Sequence, residues 1–170
     1  MTYGNAEGFK EYLGSRGKKF NCSWTDDVID SALLVASEWI DGVYESLFVG
    51  YKTGGYNQER SWPRTSATIK TGYSWHTFAD NEIPENVVKA TYEAALRHLK
   101  NENALQSDYT PSKYRSVSVH GAVSVVFDER ITGASDVQTE FPIIQTLLND
   151  LIDTEGGKDL SPLSGKVTRV

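Results

Sequence analysis

One cysteine, one methionine, five prolines and three histidines are all that these 170 residues contain of those types. Each scarcity excludes something. With Cys22 alone there is no intramolecular disulfide and no multi-cysteine zinc site. Cys22 reads as a small buried residue rather than a nucleophile. No apolar run approaches the ~20 residues that span a bilayer, and a mean hydropathy of -0.43 is that of a soluble protein. The first residues, Met1 to Asn5, lack a basic-then-apolar pattern, so synthesis and function from the cytoplasm are expected. His76, His98 and His120 fall in a loop, on a helix and in a turn, without ligand spacing. His98, on an apolar face, reads as a satisfied core residue. There is no Gly-x-Ser-x-Gly, and Gly54-Gly55 lacks the strand and the Lys-Ser/Thr of a phosphate loop. The expectation is a protein that is not an enzyme and that uses no metal or cofactor.

What is present is one domain's worth of amphipathic pattern. Residues 6 to 16 read as a short helix, with Phe9, Tyr12 and Leu13 on one side. Thr25 is the expected N-cap of a second helix running to about Tyr44, with Asp26 and Asp27 complementing its positive end. Ile29, Ala32, Leu33, Ala36, Trp39, Ile40 and Val43 form its apolar stripe. Asp27, Asp30, Ser31, Ser37, Glu38, Asp41 and Glu45 are expected on a solvated face. Leu34 breaks that pattern and is expected to be exposed in a monomer. A third helix starts at Pro84 and ends near Asn101, burying Val87, Val88, Thr91, Ala94, Ala95, His98 and Leu99. The last spans about 140 to 153, with Ile144, Leu147, Leu148, Leu151 and Ile152 on one side.

Between the third and last helices the period changes to two. Val117, Val119, Val123, Val125 and Phe127 lie on two runs around His120-Gly121, a β-hairpin signature. Such a hairpin is marginal alone, so it is expected to pack on the helices or pair with another chain. The predicted fold is thus mainly α: a small bundle of about four helices with a β-hairpin, a long loop between helices 2 and 3, and an extended C-terminal arm. Residues 1–153 form the domain and 154–170 the arm, whose spaced Leu160, Leu163, Val167 and Val170 fit either a disordered end or a segment that orders on a partner.

The loop, roughly 46 to 82, has neither helical nor sustained strand periodicity. A connection this long is usually a working surface or a mobile element. Net charge is -6, which opposes tight nonspecific nucleic-acid binding. Yet residues 49 to 76 carry Lys52, Arg60, Arg64 and Lys70 against Glu59, a balance of +3 that leaves -9 on the rest. Tyr51, Tyr56, Trp62, Tyr73 and Trp75 interleave with those cations. That composition stacks nucleobases along a phosphate backbone. It also anchors protein–protein interfaces. In a third reading Trp62 and Trp75 fold back over the helix core.

Several residues together carry a resemblance. Phe9-Lys10-Glu11-Tyr12 and Arg16-Gly17 precede Ala32-x6-Trp39-Ile40-Asp41. Then come Ser61-Trp62-Pro63-Arg64, Glu82-Ile83-Pro84-x-x-Val87 and Ala90-Thr91-Tyr92-Glu93-Ala94-Ala95-Leu96, followed by the valine-rich hairpin. Over roughly residues 3 to 153 this order resembles small tailed-bacteriophage proteins often labelled DnaT-like ssDNA-binding, and the head–tail adaptor (head-completion, connector) family. The resemblance implies a virion structural protein of the particle neck, made in the host cytoplasm. It implies a homo-oligomeric ring of about twelve copies, closed by head-to-tail contacts. Its partners would be the portal protein, a stopper or tail-completion protein, and packaged double-stranded DNA passing through the channel at ejection. No membrane is implied. The acidic body suits a channel through which DNA slides without sticking. Tyr51, Tyr56, Trp62, Arg64 and Trp75 are the expected partner-binding loop residues. Val117, Val119, Val123, Val125, Phe127, Leu160, Leu163 and Val167 are the expected oligomer or portal contacts. The alternative is a nonspecific single-stranded-DNA-binding protein using the aromatic and basic loop 49–76.

Overall fold

The computed structural model describes residues 1–105, the strand backbones 116–119 and 123–126, and residues 141–153. Helix α1 (Ala6–Ser15) is capped by Asn5, whose side chain accepts the Gly8 N–H. Helix α2 (Asp26–Tyr44) follows, then α3 (Glu85–Lys100) and α4 (Pro142–Leu148), the last extended by a 3-10 turn at Asn149–Leu151. The mainly α architecture with a hairpin is the one the periodicity predicts. Thr25 precedes α2, but its side chain makes no capping bond; the two acids of the first turn remain to satisfy that helix end.

The α2 stripe packs as expected: Ile29, Ala32, Leu33, Ala36 and Ile40 are buried, facing Val87, Ala90, Ala94 and Ala95 of α3. Small residues on α3 let the helices approach closely. Ile144, Leu148 and Leu151 close the core from α4. Leu34 is exposed, as its position off the stripe requires. Cys22 is exposed, not buried, because it lies in the α1–α2 connection rather than on a helix face.

Two polar centres inside the fold were not evident from the pattern. Glu93, 1% exposed, sits where α1, its following turn and α3 meet. It accepts from Tyr12 Oη (3.0 Å), Lys18 Nζ (2.6 Å) and Arg97 Nη1 (2.9 Å), with Arg16 Nη1 at 3.5 Å. Burial pushes its carboxyl up, but the hydrogen bonds outweigh that and hold it below the usual carboxylate range. Burial, together with the same contact, raises the Tyr12 hydroxyl. Asp41, expected on the solvated face of α2, is buried instead. It accepts from Tyr3 Oη at 2.6 Å and from the Ser61 N–H at 3.2 Å, and pairs with Arg60 at 3.4 Å.

The segment 46–82 is not structureless. Strand β1 (Tyr51–Lys52) pairs antiparallel with β2 (Arg64–Thr65), and β3 (Thr68–Thr71) with β4 (Ser74–Thr77). A 3-10 turn at Gly55–Asn57 lies between β1 and β2. Backbone bonds also join Val49 N–H to Leu151 O and Asp153 N–H to Leu47 O, so the end of α4 straps the root of the segment. Gly50 adopts φ +73°, with the Thr65 carbonyl and the Ala67 backbone so close that no Cβ fits.

Strand β5 (Ser116–Val119) pairs with β6 (Val123–Val126) as the hairpin expected from the alternation, with Val117 opposite Val125 and Val119 opposite Val123. The side chains of those four valines, and all of Phe127, Leu160, Leu163 and Val167, lie outside the described residues.

Candidate functional site

Of the five residues expected to bind partners from this loop, Trp62 and Arg64 point inward. Trp62 is 1% exposed, with Phe48 and Phe78 edge-on to its ring at 5.7 Å each. Its backbone N–H donates to Tyr3 Oη at 3.0 Å. A large apolar ring beside the Phe48 and Phe78 faces gains more from burial than from solvent. This is the core-cover reading, realised for Trp62 and not for Trp75.

Arg64 is a strut. Its Nε donates to Val49 O at 2.9 Å, Nη2 to Gly50 O at 2.7 Å and Phe48 O at 3.2 Å, and Nη1 to Ser61 O at 3.4 Å. Four carbonyls without ladder partners are thereby satisfied by one planar donor fork. Burial lowers the guanidinium's pKa somewhat, and the four carbonyl acceptors hold the charge in place.

The remaining cations divide unequally. Arg60 is buried against Asp41, with Glu59 at 3.2 Å and Glu38 at 3.7 Å. Lys52 pairs with Glu45 at 2.7 Å, a contact that holds the Glu45 carboxyl below its ordinary value. Both residues line an open cleft of about 440 Å³ with Asp41, Gly42, Ser46, Tyr51 and Arg64. Its charges answer one another, leaving little for a ligand. Of the four cations counted in the segment, Lys70 alone is exposed without an ion pair among the described residues.

What the segment presents outward is aromatic. Tyr51 and Tyr56 stand exposed on β1 and the 3-10 turn. Tyr73 is fully exposed at the tip of the β3–β4 ribbon, and Trp75 is 71% exposed on β4. The ribbon's two-residue loop has Gly72 first, at φ +60°, the position that a II′ turn reserves for glycine. Lys70 lies directly opposite Trp75, and Thr68 opposite Thr77. Directly paired residues, and those two apart along a strand, share a face. One face therefore carries Thr68, Lys70, Trp75 and Thr77, its threonine hydroxyls 2.9 Å apart. The other carries Ile69, packed on the core, and His76, edge-on to Phe78 at 4.8 Å. The ribbon is thus rooted through one face and free on the other.

The ribbon was legible in principle. Thr68-Ile69-Lys70-Thr71 and Ser74-Trp75-His76-Thr77 flank a two-residue glycine turn and are rich in strand formers. The few apolar positions hid the alternation. His98 is half-buried, and its Nδ1 has no hydrogen-bond partner among the described residues. Among those residues no cluster of three His, Cys, Asp or Glu could hold a metal, and no helix is long and apolar enough to cross a membrane.

Among curated proteins and solved structures, nothing matches this chain. A family pattern does match, over residues 2–170. The chain belongs to the family described as "Putative DnaT-like ssDNA binding protein".

Proposed function

We propose that this chain is a non-enzymatic assembly subunit, a virion head–tail adaptor that docks on protein neighbours through the free face and tip of the β3–β4 ribbon. In this reading copies form a ring between the portal and a stopper or tail protein, around the DNA channel. The observation that carries it is the pair Tyr73 and Trp75, held in solvent on a ribbon whose opposite face is anchored. Large aromatics with few rotatable bonds are the side chains that dominate protein interfaces. Exposed Leu34 adds a second unsatisfied apolar position. The resemblance to head–tail adaptors supplies the assembly.

The test is complementation with Trp75→Ala and Tyr73→Ala chains. Both are expected to melt within about 2 °C of the parent, since neither ring is packed. Both are expected to reduce incorporation into the particle neck, read by mass spectrometry and electron microscopy of purified particles. Full incorporation of the double variant would overturn the reading.

The family's description favours a second reading, single-stranded DNA binding, and the exposed aromatic faces could stack bases. The placement of charge favours the first. Phosphate tracking needs free cations, and Arg60, Arg64 and Lys52 are engaged inside the fold. Fluorescence anisotropy with labelled oligothymidylate separates the two. Micromolar binding that weakens steeply with salt and disappears in Trp75→Ala would establish the second reading. No binding at about 50 mM salt would remove it.

A further inference from the structure

We infer that the free face of the β3–β4 ribbon docks on the outer face of α2 of a second copy of this chain, resting on the self-assembly proposed above. The α2 face is built around Leu34. At about 100° per residue, Asp27, Asp30 and Glu38 project within about 40° of it, Ser31 lies about 60° round on the side of Glu38, and Val35 and Val28 flank that same side farther round, at about 100° and 120°. Val28 and Leu34 are exposed at 44% and 39%. Asp27 and Asp30 are exposed and form no ion pair among the described residues, while Glu38 only approaches Arg60 at 3.7 Å. The result is an aliphatic spot in an acidic rim.

The ribbon offers the complement. Trp75 is an exposed aromatic knob, and its cross-strand neighbour is Lys70, an exposed cation without an ion pair among the described residues. Seated on Leu34, Trp75 would set Lys70 against Asp30 or Asp27. The dimensions agree: Asp27 to Glu38 covers about 16 Å of helix, and a four-residue strand about 13 Å. Two different surfaces meet in this contact, so each subunit keeps one of each for the next neighbour. Such head-to-tail contacts close into rings or run on as filaments. Among the described cations and carboxylates, this pairing joins the segment's free lysine to two free acids.

Sedimentation velocity and native mass spectrometry on the full chain test it. The parent is expected to self-associate at tens to hundreds of micromolar. Lys70→Glu and Trp75→Ala are each expected to weaken association at least about tenfold. Adding Asp30→Lys to Lys70→Glu is expected to return it to within about threefold of the parent. As a positional check, a Ser31→Cys chain and a Thr77→Cys chain, both with Cys22→Ser, are expected to form a disulfide heterodimer when mixed and oxidised. Self-association that ignores Lys70→Glu and Trp75→Ala, with no heterodimer, overturns this contact and leaves the assembly reading standing. A parent that stays monomeric to roughly 0.5 mM, a bound of about 4.5 kcal/mol, overturns the assembly reading and this contact together.

Discussion

Trp62 and Trp75 are the same residue type thirteen positions apart, and the fold gives them opposite work. Truncating Trp62 to alanine removes a ring wedged between Phe48 and Phe78 and leaves the Tyr3–Asp41 hydrogen-bond system beside a void. Losses of this kind cost about 4 kcal/mol. The Trp62→Ala chain is therefore expected to unfold at markedly lower urea, measured by circular dichroism, while Trp75→Ala unfolds with the parent. A Trp62 variant as stable as the parent would remove the packing argument. Nothing in composition separates the two tryptophans. What separates them is Tyr3, whose hydroxyl accepts the Trp62 backbone N–H and donates to Asp41. Burial and that carboxylate push the Tyr3 hydroxyl well above the ordinary tyrosine value, so it remains a donor throughout the working pH range.

At the scale of elements, the helices were readable because their apolar residues repeat every 3.6 positions over long spans, as from Ile29 to Ile40. Hairpin β5–β6 was readable for the same reason at period two. The 46–82 segment was not, because side chains rather than apolar repeats hold it. Arg64 organises its root by donating to four carbonyls, and its sequence context gives no sign of that role. Asp41 shows the same limit: its place on the helix wheel assigns it to solvent, and only Tyr3, Arg60 and Ser61, far away in sequence, bring it inside. Glycine supplies one more long-range constraint. At Gly50 a Cβ would lie 2.5 Å from the Thr65 carbonyl oxygen and 2.8 Å from the Ala67 backbone. A positive φ adds strain of about 1 kcal/mol for any other residue. Gly50→Ala is expected to cost at least about 2 kcal/mol in chemical denaturation, whereas Gly42→Ala, with open space around it, is expected to stabilise α2 slightly.

For the whole molecule, the acidic balance and the buried carboxylate set how the fold responds to pH. Glu93 ties α1 and the turn after it to α3 through Tyr12, Lys18 and Arg97, so its ionised form is part of the assembly of the bundle. Its carboxyl titrates below the usual range in the fold. A group depressed in this way contributes stability fully present above its unfolded value of about 4.3 and lost as pH falls through the lower folded value. Stability is therefore expected to be level in this contribution from pH 8 to 5 and to fall below about pH 4. Glu93→Gln keeps the shape but removes the charge that three cations face. Because Arg16, Lys18 and Arg97 each retain partial access to water, they can rehydrate, and the cost belongs at the low end for a broken buried pair, about 3 kcal/mol at pH 7. The gap between the parent and Glu93→Gln is expected to narrow as pH falls below the unfolded carboxylate value and the parent's own carboxyl takes up its proton. Urea unfolding of both chains at pH 7 and pH 3 reads that difference directly. A gap that persists undiminished at pH 3 would mean that Glu93 acts through shape rather than charge, and that the helices are joined by packing alone.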